Sequence, residues 1–376
     1  MKHTEMIYAD HAATTRLDDD AFEYMKQFLL DDFWNASEPY SFAKVSQEAL
    51  VAARKRIADC INAEPEEIYI TSCGSESDNW AIKSVGLEDK NKVVITSCIE
   101  HPAILNSCAV IEKEGVKVEY LPVDGKGVVS TAALEELVEK ESASLVSVMF
   151  VNNEIGTMEP IKELCDIAHA HGALFHTDAV QALGHVAIDV KELGVDMLSA
   201  SAHKFNGPKG IGFLYAKKGT PLLPFMNGGC QEFGMRAGTE NIASIVAMSY
   251  ALEKNIKNLD ENFAHMQELE KLFISELKKT GLDFIVNGSE IKNPGNMSIS
   301  FKGADGADIL HGLDKKGVAV STGSACNSGV KALSRVLRAI GVSEEYGFGT
   351  VRISLGIENT TDDVLYIVKC LCEVLA

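Results

Sequence analysis

No run of the sequence is apolar for long enough to cross a bilayer, which excludes a membrane-spanning helix. The opening stretch, MKHTEMIYADHAATTRLDDD, lacks the apolar core of a secretory signal, so a cytoplasmic protein is expected. Positive charge is in short supply: 35 Lys and Arg face 54 Asp and Glu, a net charge of −19. That balance argues against broad electrostatic capture of nucleic acid or of an anionic membrane surface. Low-complexity segments and internal repeats are missing, and nearly half the residues are hydrophobic, as in an ordinary globular protein. A paired cysteine framework is missing too. The nine cysteines are odd in number and scattered through apparent helices and strands, which fits reduced thiols. Cys370 and Cys372 form a C-x-C, but they lie in DDVLYIVKCLCEVLA, where an amphipathic helix buries small thiols as core. At 376 residues the chain is too long for one small core, so a large domain and a smaller one are expected.

What is present is an alternation of short apolar runs with helical patterns. KVVITS, VEYLPV, LVSVMFV, ALFHTDA, DMLSASA and GIGFLYA read as strands. TAALEELVEK and PIKELCDIAHAHG, the latter opened by Pro160 and closed by Gly172, read as helices between them. Such alternation predicts an α/β fold with a mostly parallel sheet and helices on both faces. A helical pattern from Ile242 to Lys279 is too long for one packed unit and suits a passage into a second domain. There NMSISFK, GVAVST and TVRISLG are strands again, followed by a closing helix.

Ligands of open α/β sheets gather at the carboxyl ends of strands, so the residues after each strand are the candidates. Gly74 and Ser75 precede a helix, where backbone amides and a hydroxyl can hold a phosphate. His101 follows the next strand, then Asn152 and Asn153, then Asp178 and Gln181, then Ser201, His203 and Lys204. Singly, each has a bland reading: a turn, a cap, a satisfied structural imidazole. Lys204 is the odd one, because an ammonium set among apolar neighbours is costly. Jointly, an imine-forming lysine, an acid for a pyridinium nitrogen and hydroxyls around an anion site are what pyridoxal phosphate requires.

The chain resembles the class I cysteine desulfurases, a group of the class V aminotransferases, which are pyridoxal-phosphate enzymes of fold type I. The resemblance covers nearly the whole length. It rests on YADHAATT, TSCGSESDN, EHPAIL, VNNEIGT, HTDAVQALG, SAHKFNGPKGIG, GGCQEFGMRAGTEN, STGSACNSG and VRISLG, in the family's order. STGSAC is the most specific of these, because it is similar to the desulfurase cysteine loop and a transaminase has no need of it. A transaminase or a selenocysteine lyase would share the lysine and the aspartate.

The resemblance implies a fold type I architecture: a large domain, residues 15–255, built on a seven-stranded sheet, and a smaller α+β domain of residues 1–14 and 256–376. It implies that Lys204 carries the cofactor as an imine and that Asp178 keeps its pyridinium nitrogen protonated. His101 would stack on the ring and move protons, Gln181 would bond the phenolic oxygen, and Asn153 would approach the same edge. Gly74, Ser75, Ser201 and His203 would hold the phosphate, with Thr239 supplied by the second subunit of a homodimer. Arg352 is the fork for the carboxylate of L-cysteine. Cys326 would take the substrate's sulfur as a persulfide, leaving L-alanine.

Departures from the family pattern are local. Where relatives read N-P-S-S-x-H, this chain has NASEPY, with Ala36 for proline and Tyr40 in the histidine's place. In GGCQEFGMRAGT, Cys230 replaces a glycine and Phe233 an arginine. Cys230 is either a small residue filling a glycine's place or a second thiol that accepts sulfur or shares a metal ion with Cys326. The sulfur acceptor stays open between an iron-sulfur scaffold and a transfer-RNA or cofactor thiolation enzyme.

Overall fold

The computed structural model of the chain describes residues 6–322 and 333–376. Among these residues the strands are β1 (Ile7–Tyr8), β2 (Ile68–Thr71), β3 (Val93–Ser97), β4 (Lys117–Leu121), β5 (Ala143–Ser147) and β6 (Leu174–Asp178). They continue as β7 (Met197–Ser201), β8 (Gly212–Ala216), β9 (Phe284–Asn287), β10 (Asn296–Phe301), β11 (Val318–Ala319) and β12 (Thr350–Ser354).

The main sheet has seven strands in the order β2-β8-β7-β6-β5-β3-β4. From β7 to β4 every neighbouring pair is parallel. The central strands are buried along their whole length, since helices cover both faces, and they therefore read as continuous apolar runs. β8 runs against both of its neighbours. The connection explains it: residues 202–211 form a short 3-10 turn and loop, too little chain for the crossover that a parallel return needs.

A second sheet, β12-β10-β9, is antiparallel, and β1 pairs with β11. Its core joins Ala9 to Phe273, Leu277, Met297, Ile299, Val351, Ile367 and Leu371, while the main sheet's core draws on residues 21–252. The helical pattern of 242–279 is two helices, Ile242–Lys257 and Leu259–Lys279. Asn258 is the joint, with φ −104° and ψ 14°, capping the first helix through its N–H to the Lys254 carbonyl. The closing helix, Thr361–Leu375, buries Cys370 and half-buries Cys372, as packing thiols. No helix among the described residues is long and apolar enough to cross a membrane.

Candidate active site

A cavity of about 280 Å³ opens at the carboxyl ends of the parallel strands. Its walls contain Gly74, Ser75, His101, Asn153, Asp178, Gln181, Ser201, His203, Lys204 and Arg352, all of them expected from sequence. Ala12, Ala13, Cys73, Asp78, Met149 and Val180 complete it. Each strand end delivers one part. After β2 the chain enters the helix Gly74–Glu88 with Cys73 extended at the cap. A Cβ at Gly74 would meet Val180 Cγ2 at 2.4 Å, so glycine keeps this helix start tight against the loop after β6. Pro102 opens the helix Pro102–Lys113 behind β3, and His101 caps it by accepting the Ala103 N–H on Nδ1 at 3.1 Å. That bond assigns the ring's other nitrogen, Nε2, as the proton carrier.

Lys204 sits in the 3-10 turn after β7 and donates from Nζ to the carbonyls of Ala12 and Ala13, at 2.6 and 2.8 Å. Burial, with Arg352 adding repulsion, lowers its pKa to about 8, so a substantial share is amine at neutral to mildly alkaline pH. Gln181 holds the same Ala12 carbonyl at 2.8 Å, which fixes the turn after β1 over the cavity. His203 Nδ1 lies 3.1 Å from Thr14 Oγ1, and burial followed by the Lys204 charge pulls its pKa down to about 4. The imidazole is therefore neutral in the working range.

Asp178 is buried and accepts the Val180 N–H at 2.9 Å. Burial raises its pKa, against the pull of His101 and Lys204. Asp78, one turn into the helix Gly74–Glu88, lies beside it: Asp78, His101 and Asp178 each offer an atom within 4.8 Å of the others. Burial first, then the Asp178 charge, raises Asp78 well above the carboxylate range. Two carboxyls so placed cannot both ionise cheaply, and of the two Asp78 is pushed further toward its neutral form. Behind them His176 is fully buried between Ser147 and Ser199, at 2.9 Å each, and burial lowers its pKa to about 3. The imidazole beneath the carboxyl pair is therefore neutral. Asp78 Oδ1 and Ser201 Oγ are buried without a hydrogen-bond partner among the described residues.

Arg352 reaches the cavity from β12, in the other sheet. It is 6 % exposed, so it is not a surface arginine. Its Nη1 donates to the Asn153 carbonyl at 3.0 Å and its Nη2 to Asp10 Oδ1 at 2.7 Å. Asp10 was not among the candidates; it stands in YADHAATT, but its partner lies 342 residues away. Asp78 stands in TSCGSESDN, four residues after Gly74 and so on the same helical face, the one signal that points to it.

Three candidates do not line the cavity, the first of them Asn152, which is buried just before Asn153. Thr239 lies in a separate crevice with Glu232, Arg236 and Ile70. Cys230 is exposed and is not among the described residues with positive φ, so a side chain replaces glycine there without backbone strain. Cys326 lies outside the described residues, and so does any pairing of it with Cys230.

The family model for aminotransferase class-V matches residues 7–367. A cysteine desulfurase IscS of Dictyoglomus turgidum is 45% identical over 372 residues, covering 98% of this chain and 94% of that protein. The cysteine desulfurase NifS of Azotobacter vinelandii is 39% identical, covering 96% and 91%. Among solved structures, a NifS-like protein superposes with a TM-score of 0.93 at 36% identity, over 98% of this chain and 99% of that one. SspA in complex with cysteine superposes with a TM-score of 0.83 at 34% identity, over 94% and 99%. A family model spanning nearly the whole chain and relatives of this identity lead to one conclusion: the chain belongs to the class-V aminotransferase family.

Proposed function

We propose that the protein is a pyridoxal-phosphate-dependent cysteine desulfurase that converts L-cysteine to L-alanine and collects the sulfur as a persulfide on Cys326. The observation that carries the reading is the convergence of Lys204, Asp178, Ser201 and Arg352 on one cavity. The residues fit the cofactor. The unpartnered Ser201 Oγ, the helix start at Gly74 and the neutral His203 suit a phosphate; the lowered Lys204 suits an aldehyde; Asp178 suits a ring N–H.

Pyridoxal phosphate supplies the electron sink that makes the substrate's Cα–H acidic and its Cβ–S bond labile. The chain does the rest. Lys204 would hold the cofactor, and its amine would be the group able to take the Cα proton. Arg352 offers the substrate carboxylate its guanidinium fork, and its buried Nε is without a partner among the described residues. Asn153 and Gln181 line the cavity and would offer their amides to the ring's polar edge, and His101 carries a proton on Nε2. Cys326, as thiolate, forms a bond to the substrate sulfur. The carbon–sulfur bond breaks with its electron pair left on carbon, and that carbon takes a proton to end as alanine. The Cys326 sulfur and the substrate sulfur are each oxidised by one electron and the substrate carbon takes up both, so no outside oxidant enters.

We assign residues 15–255 to the large domain and 1–14 with 256–376 to the small one, supported by the two largest apolar clusters, one in each. The active form is a cytoplasmic homodimer in which Thr239 serves the second subunit's phosphate site. Its position away from this chain's own cavity supports that, as does the exposed aromatic group of Phe33, Tyr40 and Phe42 around Trp34. The acceptor is a protein of iron-sulfur assembly or of thiolation. The test is incubation with L-cysteine: the reading expects alanine and a persulfide mapped to Cys326, and Cys326→Ser expects neither, with the cofactor's visible band intact. A persulfide on another thiol, or alanine formed at the parent's rate by the variant, would refute it.

A further inference from the structure

Glu154 lines up with no step above, yet it is a carboxylate in a largely enclosed place, and that needs a reason. It stands on the turn Asn152–Gly156. Asn152 Oδ1 accepts the N–H groups of Glu154 and Ile155, at 2.9 and 3.1 Å, and Asn152 Nδ2 donates to the Ile99 carbonyl at 3.0 Å. Gly156 closes the turn with φ +72°, and a Cβ there would meet the Asn296 carbonyl oxygen at 2.9 Å. Only glycine fits, and the turn is rigid.

This turn touches both the cavity residue Arg352 and the described chain that resumes at residue 333. The Asn153 carbonyl accepts from Arg352 Nη1. The next side chain, Glu154, accepts from Ser334 Oγ. Ser334 is the first polar side chain of the described chain after residues 323–332, and its hydroxyl is fully used. Its oxygen accepts the N–H groups of Val336 and Leu337, at 3.1 and 3.4 Å, and its single proton goes to Glu154. Apolar contact reinforces the junction, because Val336, Leu337 and Ile340 pack with Ile99 and Ile155 of the same region. The other flank is tied to the same arginine: Ser321 and Arg352 exchange backbone hydrogen bonds of 3.1 and 2.6 Å. Arg352 also balances the Glu154 charge, while burial pushes the carboxyl up to about 7.

We propose that Glu154 is a positioning residue, which through Ser334 fixes the downstream flank of the Cys326 segment to the turn that holds Arg352, and so sets the rate of sulfur transfer to Cys326. The inference rests on the desulfurase reading. It differs from it in predicting a specific pair of residues that contact neither substrate nor cofactor.

The experiment uses the cofactor-loaded enzyme with Glu154→Ala, Ser334→Ala, the double variant, Glu154→Gln and Ser334→Asp. The last keeps a helix-capping oxygen while removing the donor that Glu154 needs, so a lost cap is separated from a lost link. Three quantities are read: hydrogen exchange of amides 335–342 without substrate, the single-turnover rate of persulfide formation, and KM for L-cysteine. Glu154→Ala, Ser334→Ala and Ser334→Asp should each speed the exchange and slow persulfide formation about tenfold, as expected for a lost hydrogen bond to a charged group. KM should stay within about twofold. The double variant should be no slower than either single alanine variant, and Glu154→Gln, which keeps an acceptor, should recover most of the rate. Parent-like rates in Ser334→Asp, additive losses in the double variant, or a loss confined to KM would overturn the proposal. A parent enzyme that binds cofactor and cysteine yet forms no persulfide would overturn the desulfurase reading itself, and that control is read before any variant.

Discussion

At the strand ends a carboxyl, an imidazole and an amine share an open cavity, whereas Cys165, His169 and Asp196 bring a buried thiol, an exposed imidazole and a buried carboxylate together at the edge of the packed core. The second group has the residue types of a nucleophilic triad. His169 Nε2 bonds Asp196 Oδ2 at 2.8 Å, and Cys165 Sγ lies 3.9 Å from the imidazole nitrogens. Its capacity is already used, however. The same Asp196 oxygen accepts the Phe175 N–H at 2.8 Å, and Cys165 is fully buried with its thiol pushed up to about 12 by burial. The Asp178 group keeps capacity unspent: Ser201 Oγ and Asp78 Oδ1 have no hydrogen-bond partner among the described residues, and Lys204 is lowered toward neutrality. Residue types alone do not make a reactive site. Open volume beside unsatisfied polar atoms does.

The contrast is broken most severely if Lys204 is dispensable. Lys204→Ala should lower sulfide release from cysteine by at least about 10³-fold, because the residue both holds the cofactor and moves a proton. Multiple turnover by this variant would put the chemistry elsewhere. Next in size is Arg352→Lys, which keeps the charge but not the fork. Steady-state kinetics should show kcat/KM down by roughly 10- to 100-fold, chiefly through KM.

A pH titration sharpens the electrostatic half of the contrast. Only the amine form of Lys204 attacks an aldehyde, and its pKa is lowered from 10.5 to about 8. The rate at which cofactor-free enzyme takes up pyridoxal phosphate should therefore rise with pH up to about 8 and level off above it. A rate still climbing at pH 10 would mean the lysine is solvated like any other. The smallest effect belongs to the closed cluster: Cys165→Ala should leave turnover unchanged and cost about 1–2 kcal/mol in denaturant unfolding, the price of a small buried void. Any loss of activity beyond that of stability would give the cluster a role it is not built for.

The parallel sheet and most of the cavity were legible in the sequence for one reason. A functional residue just after a strand is placed by that strand, and the strands announce themselves as apolar runs. Gly74, His101, Asp178 and Lys204 are all of this kind. What escaped is what depends on distant chain. Asp10 meets Arg352 across the whole length, Asp78 meets Asp178 only because the helix Gly74–Glu88 packs against β6, and β8 turns antiparallel because of a short connection. The break at Asn258 was masked by a helical pattern that runs through it. Thr239 belongs to the family's pattern, but its place in a separate crevice could be seen only in three dimensions.

The central claim is that Lys204 is the residue to which the cofactor is bound, and it can be read directly. The purified enzyme, loaded with pyridoxal phosphate, is reduced with borohydride, digested and mapped by mass spectrometry. The account predicts the reduced cofactor on the peptide that contains SAHKFNGPK, at Lys204, in close to one copy per chain. Label on any other lysine, or a loaded enzyme that yields none, would contradict it.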